Sequence, residues 1–399
     1  MNEIQIKEND SKVRAGIRNV ILLGLVSCFA DISSEMVYPL IPLYLTSAFG
    51  ATPILVGIIE GIAESVASLL KVFSGYISDR FQHKKAIAFS GYATGVLYKI
   101  ALLFAGSWGG VLAARVIDRF GKGVRTAPRD VMVSESADKT SMGKAFGIHK
   151  MLDMAGSAAG ILLSFILITT IGDGSYKTVF AISIIPICIA LFLFIFIHEK
   201  KERRELKTRE KFWQNAKNLD FNLKLYLAVA FMFTLGNSSN CFLLLRAADV
   251  GFSDSNTILL YFIYNLTASI LSVPCGKLSD KTGRKKLLVA GYIAFSLVYF
   301  GFAFCFSKIF MIVIFVVYGI YTAMTAGVER AFIAEIAPSN LKGTMLGLHS
   351  TLVGIALLPA SVIAGFLWNT VSSSAPFIFG GIMSLAAALV LAIFLRKKI

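Results

Sequence analysis

Residues 75–85 read GYISDRFQHKK and residues 276–286 read GKLSDKTGRKK. Gly75, Ser78, Asp79, Lys84 and Lys85 return as Gly276, Ser279, Asp280, Lys285 and Lys286, each 201 positions on. A longer echo accompanies them. ESADKTSMGKAFGIH (135–149) faces EIAPSNLKGTMLGLH (335–349), pairing Glu135, Ala137, Gly143, Gly147 and His149 with Glu335, Ala337, Gly343, Gly347 and His349 at an offset of 200. Two echoes at nearly one offset predict a chain built from two halves of the same orientation, a plan used where a solute path runs between repeated helix bundles.

Hydropathy supplies the helices of each half. The 399 residues are 56% hydrophobic with a mean hydropathy of +0.71, too apolar for a soluble domain of this length. A helix needs about 20 apolar residues to cross a bilayer. Such stretches fall at 18–46, 53–78, 86–106, 109–132, 142–170, 177–197, 224–246, 256–277, 286–306, 309–332, 342–369 and 375–396. The expected fold is an all-α membrane protein of twelve spans: a six-helix bundle over 1–197, a polar linker over 198–223 and a second bundle over 224–399.

The formal charge of +15 fits a membrane topology and not nucleic-acid binding. Arg80, Lys84, Lys85, Lys277, Lys281, Arg284, Lys285 and Lys286 crowd the connections after spans 2 and 8, and nine Lys or Arg fall in 198–224. The alternate connections hold only Lys177 and Lys308, with Arg246 at the edge of one. Basic residues collect on the cytoplasmic side. Both termini are therefore expected in the cytoplasm, in a bacterial inner membrane. No cleavable leader is read at the start, because residues 1–14 are polar and the first apolar run carries acids. Cys28, Cys188, Cys241, Cys275 and Cys305 form no CxxC pair and read as small core residues.

The first half is crowded with charge inside its spans. DISSEMVYP (31–39) places Asp31 and Glu35 one helical turn apart within an apolar run. Span 2 adds Glu60, Glu64 and Lys71 on one stripe, span 3 Lys99, span 4 Arg115, Asp118, Arg119 and Lys122, and span 5 Lys150 and Asp153. An ionisable group in hydrocarbon costs at least ~2.5–3.5 kcal/mol and by default marks a functional site with a partner. Asp31, some 13 residues into span 1, and Glu64 fall near the midplane and are the first candidates for proton coupling, with Glu35 and Glu60 next. A carboxylate that changes partners between two conformations can load and release a proton. Lys99, Arg115, Arg119 and Asp153 are expected as counter-charges or substrate anchors. The competing expectation is a fixed set of salt bridges. The second half is more neutral, with Asn237, Ser238, Ser239 and Asn240 in span 7, Tyr261, Tyr264 and Asn265 in span 8, and Tyr318 and Tyr321 in span 10. Asn237, Asn240, Tyr264 and Asn265 are its substrate-contact candidates. His149 and His349 recur at the starts of spans 5 and 11 and read as structural.

The paired loops resemble the signature loop of the major facilitator superfamily, and the resemblance covers the whole chain. In the pattern G-x-x-x-D-(R/K)-x-G-R-(R/K), the second copy supplies Gly276, Asp280, Gly283 and Arg284, and the first supplies Gly75, Asp79 and Arg80 but has Gln82 and His83 where the second has Gly283 and Arg284. RVIDRFGKGVRTAPRD resembles the family's arginine motif, with Arg115 and Asp118 at its Arg and Gln positions and Arg119 replacing a usual Gly. GSAAG (156–160) is similar to its glycine-rich antiporter motif but is followed by Ile161, without the Pro. The resemblance implies alternating access, with the loops latching one conformation and carrying no substrate. The expected function is a proton-driven secondary transporter of a small organic solute, export favoured over uptake of a metabolite or a siderophore-like anion. Expected partners are the solute, protons and the bilayer, with the chain monomeric. A transport-dead sensor is the alternative of another class. No enzyme, cofactor or metal site is expected: no nucleophile–base pair, metal-spaced set or G-x-x-x-x-G-K-[ST] loop is found.

Overall fold

The structure is a computed structural model of the whole chain and describes residues 3–80, 84–136, 142–199, 220–305, 307–337 and 342–394, with side chains from residue 16 onward and outside 71–83, 142–144, 146–147, 330, 334, 342–344 and 346–347. Among these residues it contains helices and no strand. In chain order they are α1 (Glu3–Val37), α2 (Leu40–Phe49), α3 (Pro53–Arg80), α4 (Lys84–Phe104), α5 (Trp108–Glu135), α6 (Met142–Ile171), α7 (Tyr176–Ile182), α8 (Ile184–Ile195), α9 (Phe221–Gly236), α10 (Cys241–Asp249), α11 (Asp254–Thr282), α12 (Arg284–Ala303), α13 (Lys308–Thr325), α14 (Val328–Ile336), α15 (Lys342–Thr370) and α16 (Ala375–Phe394). Helix is what lipid permits, since it satisfies every backbone polar group within the segment.

Among the described residues, eleven segments are long and apolar enough to cross a bilayer. The expected span 4 is not among them, because α5 carries Arg115, Asp118, Arg119, Lys122, Arg125, Arg129 and Asp130. It is nevertheless 28 residues long, about 42 Å at 1.5 Å per residue, and Arg115, Asp118, Arg119 and Arg125 are buried. Its polar stripe faces protein, not lipid. Ser107 caps its start, accepting a hydrogen bond from the Gly110 amide at 3.4 Å.

Four expected spans are broken. Span 1 divides at Tyr38–Pro39, where proline offers no amide to the preceding turn. Span 6 divides at Ser183 and span 10 at Ala326–Gly327. Span 7 stops at Gly236 and restarts at Cys241, so the NSSN run is a break between α9 and α10.

The chain forms two compact units. The first comprises Met1–Tyr38 with Leu70–Leu206 and the second Pro39–Leu69 with Lys207–Ile399. The expected bundle 1–197 thus contributes the segment Pro39–Leu69 to the second unit, and the expected linker lies almost wholly outside the described residues. The reason is close packing of α3 on α15: a Cβ at Gly57 would sit 2.2 Å from the Ser361 carbonyl oxygen, and the Ser65 hydroxyl donates to the Gly354 carbonyl at 2.7 Å.

In the first unit the comparable seam joins α1 to α6. Cβ atoms at Gly156 and Gly160 would lie 2.3 Å and 2.5 Å from the carbonyl oxygens of Cys28 and Ile32. GSAAG is therefore explained as a packing surface, and small residues are what allow membrane helices this proximity. Gly156→Ala is expected to push α1 from α6 and to lower stability by about 1–3 kcal/mol, while Ala158→Ser, two positions along, leaves it within about 0.5 kcal/mol. Unfolding of the two purified variants checks this.

Candidate transport site

The α1–α6 seam decides the chemistry of the first unit. It brings Asp31 on α1 against Asp153 on α6, close enough for the two carboxyl groups to share a hydrogen bond. Asp31 Oδ1 also lies 4.0 Å from Arg125 Nη2, and Asp153 Oδ2 accepts from Lys150 Nζ at 2.8 Å. The side chains of Asp31 and Asp153 are 16% and 17% exposed, so the pair is screened but not sealed. Asp153, a counter-charge or substrate-contact candidate from the sequence, stands here as a second carboxylate beside Asp31.

A polar chain continues from this pair. The Arg125 guanidinium lies 4.4 Å over the Tyr92 ring. Tyr92 Oη is 3.1 Å from Ser27 Oγ, which is 3.0 Å from His149 Nε2. Arg129 donates to Ser27 Oγ at 3.3 Å and through Nε and Nη2 to Asp130 Oδ1 at 2.9 and 2.8 Å. His149 is one bonded member of a side-chain network. One turn from Asp31, Glu35 stands in the field of Lys122, Arg119 and Arg115. Arg115 and Arg119 flank Asp118 at 3.6 and 3.8 Å, and both lie over the Tyr38 ring, at 5.4 and 5.8 Å. Lys99 is 0% exposed.

Sequence reasoning missed Arg125, Arg129, Tyr92 and Ser27. The signal for the arginines was present: 115, 118, 122, 125 and 129 continue a single helical stripe in i,i+3 and i,i+4 steps. Tyr92 and Ser27 carry no such signal, because a lone Tyr or Ser in an apolar helix has no period.

The second unit builds a neutral site at the α9–α10 break. Tyr318 Oη donates to Asn240 Oδ1 at 2.9 Å, Asn240 Nδ2 donates to Tyr264 Oη at 3.4 Å, and Asn237 Nδ2 donates to Tyr321 Oη at 3.3 Å. Tyr261, Tyr264, Tyr318 and Tyr321 pack in sequence with ring centroids 5.0–5.4 Å apart. Asn265 does not join this cluster: its amide donates to the Tyr261 carbonyl of its own helix at 2.9 Å. Glu60, 0% exposed, and the half-buried Glu64 belong to this unit, and Asp31 and Glu35 to the first.

The loop motif is visible in its second copy. Arg284 donates to Asp280 Oδ1 at 3.2 Å and to Glu335 Oε2 at 2.9 Å, tying the end of α11 to the end of α14. Gly283 has φ +94°, a backbone state other residues enter at a cost, whereas a Cβ at Gly276 would meet nothing within 4 Å. The side chains of Gly75, Asp79, Arg80 and Lys71 lie outside the described residues.

Comparison with known proteins follows the same lines. The sequence profile described as Major Facilitator Superfamily matches residues 23–245 and 225–398. An uncharacterized MFS-type transporter of Methanocaldococcus jannaschii is 36% identical over 395 residues, 98% of each chain. The quinolone resistance protein NorA of Staphylococcus aureus is 30% identical over 139 residues, 35% of this chain and 36% of its own. The nucleoside transporter NupG superposes with a TM-score of 0.81 at 10% identity, over 95% of this chain and 100% of its own, and shares the fold.

The Asp31–Asp153 contact makes a checkable demand. Asp153→Asn keeps a hydrogen-bonding partner for Asp31, whereas Asp153→Ala removes it. The alanine variant is expected to be less stable than the asparagine variant by about 1–3 kcal/mol, measured by unfolding of the purified proteins.

Proposed function

The chain belongs to the major facilitator superfamily, and from that premise we propose that it is a proton-coupled secondary transporter that exports a small organic solute by alternating access. The observation that carries the coupling is the Asp31–Asp153 pair. An ionised carboxylate only accepts hydrogen bonds, so two carboxyl groups bond to each other only when they hold a proton between them. Arg125 and Lys150 stand ready on either side. Parting the carboxyls in a second conformation leaves each beside its own cation and releases the proton. Asp31 is the coupling residue in this reading, and Asp153 its partner. Glu35 stands a turn further along the same helix, and Glu60 and Glu64 are the corresponding carboxylates of the second unit.

Export is supported by the likeness of a third of the chain to a quinolone resistance protein. The Asn237, Asn240 and Tyr264 cluster suits a solute recognised by hydrogen bonds and ring contacts. The Arg284–Asp280–Glu335 contact acts in this scheme as the latch of one conformation. The one-sided distribution of basic residues supports cytoplasmic termini and an inner-membrane location, and the fold requires no second copy.

The test compares small molecules inside and outside cells that overproduce the wild type or Asp31→Asn at equal levels. A compound enriched in the medium by the wild type, with at least an order-of-magnitude loss in the variant, is expected; enrichment inside the cells would instead mean uptake. Purified protein in liposomes, given that compound, is then expected to move protons when wild type and none when Asp31→Asn. Equal transport by the two proteins would remove Asp31 from the mechanism.

A further inference from the structure

Arg246 lies in the last turn of α10, buried, and its guanidinium is spent on helix ends of the second unit. Nε donates to the Phe302 carbonyl at 3.0 Å, and Nη2 to the carbonyls of Ala303 and Cys305 at 3.2 and 3.3 Å. The first two belong to the last turn of α12, where a helix leaves its carbonyls without intrahelical partners. Nη1 donates to Ser373 Oγ at 2.7 Å and to the Asp249 carboxylate, and Nη2 reaches Ser374 Oγ at 3.4 Å. Those serines immediately precede α16, and the Ser374 carbonyl accepts from the Phe377 and Ile378 amides of its first turn. One fork therefore joins the end of α10 to the end of α12 and the start of α16. A planar guanidinium presents five N–H donors in fixed directions, which a lysine cannot reproduce. Its charge also sits where the dipoles of α10 and α12 are negative.

The three helices do not depend on this fork equally. α12 and α16 are joined to each other without it: Ser374 Oγ donates to the Ala303 carbonyl at 2.6 Å, Ser296 Oγ to the Gly381 carbonyl at 2.8 Å and Ser384 Oγ to the Tyr292 carbonyl at 2.7 Å. α10 is nine residues long, and the break at Asn237–Asn240 cuts it off from α9, so α9 does not set its direction. At its start the Ser239 amide donates to Ser361 Oγ at 3.4 Å and Asn240 Nδ2 to Tyr264 Oη at 3.4 Å, longer and uncharged bonds. Phe242, Leu243 and Leu244 are buried, but apolar contact is non-directional. We propose that Arg246 is the positioning residue of the Asn–Tyr site: it docks α10 on the α12–α16 frame and so fixes where Asn240 stands between Tyr264 and Tyr318. That the site holds a solute rests on the transporter reading; the docking does not. Asn240 is six residues from Arg246, about 9 Å along the helix at 1.5 Å per residue. A short rigid helix carries a swing at one end through to the other, and the 2.9 Å bond between Tyr318 and Asn240 is what that swing would break.

The test needs no gradient and no known substrate. The full-length purified chain in detergent is read by amide hydrogen exchange, and by fluorine resonance from a 3-fluorotyrosine placed at Tyr318. Arg246→Gln is expected to speed exchange over 241–249 by about tenfold or more while 292–303 and 375–385 stay within about twofold of the wild type. The fluorine resonance is expected to move towards its position in Asn240→Ala, and adding Arg246→Gln to Asn240→Ala is expected to move it no further, because the contact it would have displaced is already gone. Arg246→Lys, which keeps the charge and loses the fork, is expected to fall between wild type and Arg246→Gln in both readings, and it carries the test alone if Arg246→Gln does not fold. The proposal falls if exchange rises equally in α10, α12 and α16, which would make Arg246 a general staple of the unit. It falls also if α10 loosens and the fluorine resonance stays in place, which would mean that the tyrosines hold Asn240 themselves, or if neither reading changes. Transport by cells is scored separately, so failure here leaves the transporter reading standing, and an absence of transport leaves the docking to be judged by these readings.

Discussion

A charge carried into hydrocarbon must find an opposite charge, a hydrogen-bond partner or a proton, and the first unit is organised around that demand. The charges on α5 form a single stripe, so one helix can turn all of them inward at once. Their partners have to come from neighbouring helices at short range. The α1–α6 seam supplies that range, because Gly156 and Gly160 let two backbones approach to distances that no side chain would allow. The glycines and the carboxylates thus belong to a single device. Remove the small residues and Asp31 loses Asp153; remove the charges and the close approach has no chemical use.

The internal repeat shows which of these features belong to the scaffold. Glu135 and Glu335 correspond at the offset of 200, and each accepts a basic residue from the start of a helix in its own unit, Lys84 in the first and Arg284 in the second. Tyr92 and Tyr292 also correspond, and so do His149 and His349. At the same offset Arg129 of the first unit stands where the second has Glu329. Arg129 reaches Ser27 beside Tyr92, whereas Glu329 accepts from Tyr292 Oη at 3.2 Å. What the two units share therefore fastens helix ends. What they do not share is the Asp31–Asp153 pair, the arginine stripe and the Asn–Tyr cluster.

Much of the fold was legible in the sequence, and the reasons differ from place to place. The spans could be read because hydrocarbon thickness sets one length for all of them. The repeat could be read because both copies must cap the same helix ends. The breaks were harder. NSSN looked like polar decoration on a continuous helix, since short polar residues are tolerated there when they bond to their own turn. Only packing shows that the chain opens, with Asn240 bonded to Tyr264 and Tyr318. That Asp31 and Glu35 fall in one compact unit and Glu60 and Glu64 in the other did not follow from sequence. Hydropathy gives depth along a helix and says nothing of which neighbour that depth is spent against; α3 meets α15 through Gly57 and Gly354, and its carboxylates go with it into the second unit.

The same distinction bears on what each site can do. In the first unit the buried charges lie close enough that a change of charge on one is felt by the others. In the second, the contacts around the α9–α10 break are neutral hydrogen bonds and ring stacks, which change little in energy when a nearby proton moves. A helix interrupted at mid-span exposes backbone and side-chain polar groups that a continuous helix would hide. Two units built on one repeat thus differ in the kind of polar group they bury, ionised in the first and neutral in the second.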